Sequence, residues 1–321
     1  MSSEDQETPQ DESKLAPDWL ADMRFAGSGG TRASEPRGFY VNFELFAAVH
    51  VLRDTDVLMV GFDNLSSVND KSLAREAWGD SFYRENNWSS LGIMSFKSNW
   101  YRDEVLFDYL EGLRDSGFFR RFKKVIFTGT SMGAYASCVF CSLAPGSTVL
   151  AYSPQSTLDT NLVPWEKRFH GGRKQDWSGR FSDAADYVHT AGEVFLFHDS
   201  MDSLDKKQAD RLQGPNITRL NMNYIGHKTV VFLRRAEILK PIVLAAVAGN
   251  LTPRLFAQIY RKRRELPWFY YGLMEKCLEK GRFGLANRVI AGAKAAGRDK
   301  LSQSLEKKLS DVLGAPSSGT G

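Results

Sequence analysis

Apolar residues recur along this chain with two periods, two and 3.6, and the order in which the periods appear predicts an α/β fold. Short apolar runs suited to buried strands lie at 57–62, 91–96, 124–127, 148–152, 193–198 and 218–224. Val41, Phe43 and Leu45 alternate with Asn42 and Glu44, the pattern of a half-exposed strand. Between two of these runs, Val105, Leu106, Tyr109, Leu110 and Leu113 form an apolar stripe at helical spacing and predict a helix from about 100 to 116. Alternating strand and helix predicts a mainly parallel sheet in a three-layer αβα sandwich.

Past residue 228 the strand signals stop. Segments 230–249 and 252–265 read as helices, the first interrupted or restarted at Pro241. Three further stripes follow: Tyr270, Leu273, Met274, Cys277 and Leu278; then Leu285, Ala286, Val289, Ile290 and Ala293; then Leu301, Leu305, Leu309 and Val312. Joined at Gly281 and Gly297, they predict a helical extension similar to a helical-repeat hairpin. The predicted organisation is a flexible acidic arm over 1–36, an α/β domain over 37–235 with an insertion at 153–187, a helical region over 236–313 and a flexible tail over 314–321.

Composition is that of a globular protein, with 42% hydrophobic and 25% charged residues, and excludes a wholly disordered or fibrous chain. The net charge is only +4 but it is unevenly placed. Residues 1–20 hold six acids against Lys14, whereas residues 251–321 hold fourteen Lys and Arg against six acids. Arg261-Lys262-Arg263-Arg264 is read as a solvated helix end rather than a nucleic-acid or lipid contact. Gly27-Ser28-Gly29-Gly30 follows no strand and opens no helix, so it is read as part of the arm and not as a phosphate cradle. The N-terminus has neither the basic nor the apolar region of a secretory signal and no apolar run reaches membrane-spanning length, so a cytoplasmic protein is expected. Cys138, Cys141 and Cys277 are too few for a disulfide framework, and the Cys138–Cys141 pair falls inside a predicted helix, where packing is its expected role.

The chemistry is concentrated at Gly129-Thr130-Ser131-Met132-Gly133, which lies between an apolar strand and a run of small, helix-compatible residues. A serine displayed on a sharp strand-to-helix turn needs residues without bulk two before and two after it. Gly129 and Gly133 meet that need. The turn also sets Ser131 at a helix N-terminus, where the Met132 N–H can stabilise an oxyanion. A second donor is expected from the loop after an earlier strand, and Asp63-Asn64 is the early strand end that fits; the same residues also suit a plain Asx turn. Downstream, one strand ends in Asp199-Ser200-Met201-Asp202-Ser203-Leu204-Asp205 and another in Gly226-His227. The order is therefore serine, acid, histidine.

The insertion at 153–187 is long for a compact domain and mixes aromatic with basic residues. Trp165, Arg168 and Trp177 are its candidates for holding an anionic or sugar-like ligand by charge and stacking. The alternative is a structured cover whose arginines pair with its own acids. His198 is read as a packed strand-end residue, and His50, His170 and His189 stand in no motif. The aspartates at 199–205 match no common metal-ligand spacing, and neither a metal nor a cofactor is expected.

From about residue 39 to 235 the sequence resembles the α/β-hydrolase superfamily, carried by the Gly129–Gly133 pentapeptide, the acid loop at 199–205 and Gly226-His227. The resemblance implies Ser131 as nucleophile, His227 as general base and an aspartate that orients the imidazole, with Asp202 ranked before Asp199 and Asp205. It also places a lid where the insertion falls. Two departures stand out: the early strand end reads Gly61-Phe62-Asp63-Asn64 in place of a His-Gly pair, and the acid loop lacks a glycine between strand and aspartate. The Pro154-Gln155-Ser156 and Pro164-Trp165-Glu166 segments are similar to those of bacterial hydrolase-like proteins. The expected activity is serine hydrolysis of a small-molecule or acylated ester, thioester or amide. Acyl transfer to an acceptor such as a carbohydrate, and a non-catalytic binding module that recruits a protein through its C-terminal helices, remain alternatives.

Overall fold

The computed structural model describes residues 38–314 apart from 54–55, 69 and 71–74. The acidic arm, the Gly27–Gly30 cluster and the tail beyond Gly314 lie outside the described residues. Two strands, β1 (Gly38–Asn42) and β2 (Phe46–Val51), open the fold as an antiparallel hairpin. There follow β3 (Val57–Phe62), α1 (Asp80–Glu85), β4 (Ser89–Ser95), α2 (Glu104–Asp115), β5 (Lys124–Thr130), α3 (Met132–Phe140) and β6 (Thr148–Tyr152). The chain continues through α4 (His170–Arg173), β7 (Glu193–His198), α5 (Ser203–Arg211) and β8 (Ile217–Asn221). Helices close it: α6 (Thr229–Arg235), α7 (Leu239–Val247), α8 (Pro253–Ile259), α9 (Pro267–Glu279), α10 (Phe283–Ala295) and α11 (Asp299–Gly314).

The eight strands form one sheet in the order β1-β2-β4-β3-β5-β6-β7-β8. β2 runs antiparallel to β4, and the ladders from β4 through β3, β5 and β6 to β7 are parallel. Alternation along the strands sorts side chains to two faces. Phe46 and Ala48, Leu58 and Val60, Leu91 and Ile93, and Val125 and Phe127 join the main core with residues of α2 and α3, while Ala47, Val49, Val51 and Met94 pack on the opposite face. Among the described residues no helix is long and apolar enough to cross a membrane.

Three departures from the sequence reading have local causes. The predicted strand over 41–45 holds the last two residues of β1 and then the corner of the β1–β2 hairpin, where Phe43 N–H donates to Phe46 O (2.8 Å) and the two rings stack at 4.3 Å. β2 is buried along its whole length, and His50 breaks the apolar run that would otherwise mark it. Helix α2 begins at Glu104 rather than 100, because Trp100 and Tyr101 take positive φ and Asp103 caps the helix by accepting Val105 N–H (2.9 Å). Over 230–249 the break falls at Glu237 (φ 57°), and Pro241 sits inside the first turn of α7, where no intrahelical N–H is needed.

The chain divides into two compact units, one made of residues up to 197 together with 204–219, the other of 198–203 together with 220 onward. In the second, α9, α10 and α11 bury Met274, Cys277, Ala286, Ile290, Leu305 and Leu309 between them. Gly281 (φ 60°) and Gly297 (φ 69°) end two of these helices in the left-handed conformation that glycine adopts without strain. Helices α9 and α11 lie side by side at a constant offset of 33 residues: Lys308 pairs with Glu275 (2.6 Å), the Tyr271 and Ser304 hydroxyls meet at 3.0 Å, and Arg298 donates to Glu265 O (2.7 Å).

Candidate active site

Ser131 stands between β5 and α3 with φ 53° and ψ −114°, a conformation that costs a non-glycine residue about 1–3 kcal/mol. Its N–H donates to Tyr152 O (2.8 Å), tying the turn to β6, and its carbonyl accepts from both Ala134 and Tyr135 (3.0 Å each), opening the helix. The neighbouring glycines have no room for a side chain. A Cβ on Gly129 would lie 2.4 Å from the carbonyl carbon of Gly133, and a Cβ on Gly133 would lie 2.5 Å from Phe62 O and 2.7 Å from Asp63 O. The first turn of α3 therefore presses on the end of β3, which brings the 63–64 loop beside the elbow. Met132 and Gly133 are the first residues of α3, so their N–H groups have no intrahelical acceptor.

The parallel sheet with its antiparallel edge, the crossed strand order and a strained serine between β5 and α3 decide the fold. It is the α/β-hydrolase fold. No family model matches the sequence, and no curated protein does. Among solved structures the chain is similar to the capsule O-acetyltransferase of Neisseria meningitidis serogroup A, at 11% identity and a TM-score of 0.44, over 69% of this chain and 99% of that one. It is similar to the carboxylesterase CesB from Bacillus subtilis at 12% identity and a TM-score of 0.43, over 73% and 98% of the two chains. Est1E from Butyrivibrio proteoclasticus matches at 10% identity and 0.42, over 66% and 99%.

Around the elbow, the structure places one residue to which the sequence reading gave no role in the site, Gln155. Gln155, fully buried, holds its Oε1 3.5 Å from Ser131 Oγ while accepting the Trp100 indole N–H (2.9 Å). Its Nε2 donates to Ser153 O (3.2 Å), so both ends of the amide have assigned partners and Oε1 is the end that faces the serine. The signal in the sequence was a glutamine three residues past the end of a buried strand, with Trp100 far away along the chain.

Asp63 is 1% exposed and is held by Arg75 (2.5 Å) and by Ser95 N–H (3.0 Å). Burial pushes its carboxyl above the usual range, and Arg75 counters that. Its own N–H donates to Ile93 O (3.2 Å) and is spent in the sheet. Asn64 forms the Asx turn, its side-chain oxygen accepting Ser66 N–H (2.8 Å).

The insertion at 153–187 is fixed on two sides. Arg102 donates to the carbonyls of Asp176, Ser178 and Arg180 (2.7 to 2.9 Å), and Arg180 pairs with Glu104, Asp108 and Glu111 of α2. On the other side, Ser156 donates to Gln208 Oε1 of α5 through its N–H (2.8 Å) and its hydroxyl (2.7 Å). Arg168 binds Glu166 through Nε (2.9 Å) and Nη2 (2.7 Å) and reaches Asp205 Oδ1 (2.9 Å), with both carboxylates at most 1% exposed. Burial alone would lower the pKa of Arg168, but these partners raise it above the ordinary guanidinium value. Trp177 is in the core, its Nε1 donating to Gly172 O (2.8 Å) and its ring edge-on to Tyr135. Trp165 is partly exposed beneath Lys207, whose Nζ lies 5.3 Å from the ring. Of the three ligand-binding candidates, then, Arg168 and Trp177 are committed to the protein itself.

Asp199, Asp202 and His227 belong to the second unit. Asp199 is 2% exposed, and its Oδ2 accepts Ile225 N–H (2.9 Å) and Gly226 N–H (2.8 Å) while Oδ1 accepts Met201 N–H (2.8 Å). It therefore fixes the turn that leads into His227. Ser200 Oγ donates to Asn223 Oδ1 (2.6 Å) and Met222 N–H to His198 O (2.7 Å), bracing the two loops further. Asp202 is partly exposed, and its N–H donates to Asp199 O (3.1 Å). Asp205, in the first unit, serves Arg168. Burial pushes the Cys138 and Cys141 thiols up, Cys141 to about 12, which suits packing and not redox chemistry. Among the described residues no group of His, Cys, Asp and Glu is arranged to hold a metal ion.

Proposed function

We propose that the chain is a serine hydrolase that cleaves an ester, thioester or amide through an acyl-enzyme on Ser131. One observation carries the reading: Ser131 is held in a strained backbone conformation at the start of α3, between two glycines that leave no space for a Cβ. A packing turn has no use for that strain, whereas a nucleophile must be displayed in this way.

In this reading His227 takes the Ser131 proton as Oγ attacks the acyl carbon, and then delivers it to the departing group. Water, activated by the same imidazole, breaks the acyl–Oγ bond and restores Ser131. Asp202 orients His227 and stabilises its charged form. Asp199 is assigned the supporting role, because its carboxylate is already engaged by three backbone N–H groups. The Met132 N–H is one oxyanion donor. Since the Asp63 N–H is spent in the sheet, the other role falls to the Asn64 N–H.

A fluorophosphonate probe tests the assignment. Wild-type protein labels covalently, Ser131→Ala abolishes labelling, and His227→Ala and Asp202→Asn slow it by about three orders of magnitude or more. Folded wild-type protein that does not label would overturn the reading and leave a binding module.

A further inference from the structure

We propose that helix α9 of the C-terminal extension is a positioning element for the general base, acting through a close approach of Gly272 to the Tyr224 carbonyl; the proposal rests on the role assigned to His227. All the groups concerned belong to one compact unit. Tyr224 begins the turn before His227 with φ 72°, unfavourable for a tyrosine, and Gly226 follows with φ 71°. A backbone in that state persists only where its surroundings impose it. Two contacts do so. From one side the Asp199 carboxylate collects the N–H groups of Ile225 and Gly226. From the other, α9 lies so close that a Cβ on Gly272 would stand 1.9 Å from Tyr224 O and 2.8 Å from its carbonyl carbon. The Phe269 ring, one turn earlier on α9, meets the Tyr224 ring edge-on at 6.2 Å.

The turn is thus clamped between a buried carboxylate and a helix backbone, and His227 is the next residue but one after the clamped Ile225. The glycine is specific to this point of contact. Gly284 and Gly292, on α10 of the same helical array, have nothing within 4 Å of where a Cβ would stand. A Cβ essentially never comes within 3.0 Å of another heavy atom, so a methyl at 272 must displace the helix or the turn by about 1 Å or more. A misplacement of that size at a catalytic group costs on the order of 100-fold in rate.

The test is fluorophosphonate labelling of the full chain, resolved into limiting rate and half-saturating probe concentration, for Gly272→Ala with Gly284→Ala and Gly292→Ala as matched controls. The limiting rate falls about 10- to 100-fold in Gly272→Ala with the half-saturating concentration nearly unchanged. The pH midpoint of labelling, which reports the base, moves in that variant only. Should Gly272→Ala not fold, Tyr224→Gly, which relieves the φ strain and adds no bulk, is read in its place and shows the same selective loss of limiting rate. A folded Gly272→Ala or Tyr224→Gly protein with the wild-type limiting rate and pH midpoint overturns the proposal. If His227→Ala retains wild-type labelling, the assignment of the base itself is wrong; if His227→Ala is inactive while both test variants are normal, only the positioning role of α9 is lost.

Discussion

Replacing Arg168 by methionine keeps most of the side chain's length and removes the guanidinium that joins Glu166 to Asp205. Two carboxylates with at most 1% of their surface exposed then lose a shared cation. Breaking a buried ion pair by deleting one partner costs roughly 3–5 kcal/mol. Arg168 itself is 26% exposed, so water partly reaches the vacated position and the lower end, about 3 kcal/mol, is expected. At about 2–4 °C per kcal/mol for a unit of this size, Tm falls by about 6–12 °C in thermal denaturation at pH 7.5. Adding Glu166→Gln and Asp205→Asn to Arg168→Met recovers part of the loss, since three neutral groups carry no unpaired charge. A Tm within about 2 °C of wild type, together with a raised KM toward a p-nitrophenyl ester, would refute this reasoning and return Arg168 to the substrate.

Gly129→Ala forces a methyl onto the Gly133 backbone, which no rotamer change can relieve, so it destabilises by about 1–3 kcal/mol or more and abolishes fluorophosphonate labelling; a stable variant that labels normally would show that the elbow is looser than described. His50 lies on β2, 3% exposed, among the rings of Phe39, Phe118 and Phe122, and its Nδ1–H donates to Ser90 O (2.8 Å). Burial, with a smaller contribution from Arg121 and Arg53, lowers its pKa from 6.5 to about 4. The unfolded chain therefore takes up a proton that the folded one resists. Stability from this group is full above pH 6.5 and falls by up to about 3 kcal/mol as pH drops to about 4; the slope, read by urea denaturation across that window, disappears in His50→Gln, and an unchanged slope there would rule His50 out.

Most of the architecture is readable in the chain because its signals are local. Buried parallel strands are continuous apolar runs, the three C-terminal helices each carry one apolar stripe, and Gly281 and Gly297 mark their ends. The elbow is readable for the same reason: Gly129 and Gly133 are both within two residues of the serine whose geometry they permit. β2 escaped because His50 interrupts its apolar run and because Phe43 and Leu45, just before it, alternate as a half-exposed strand would. Gln155 escaped because its meaning comes from Trp100, fifty-five residues earlier, and from Ser131, twenty-four residues earlier.

The sequence by itself determined which chemistry is on offer: a serine on a strand-to-helix turn, then acids, then a histidine, each at a strand end. Tertiary structure alone decided how those groups are used. It committed the Asp63 N–H to the sheet, Arg168 to Glu166 and Asp205, and Asp199 to the backbone of the turn before His227. The physical reason is common to all three. Buried charges and N–H groups must find partners, and the partners that satisfy them lie close in space but distant in sequence, where no periodicity or spacing records them.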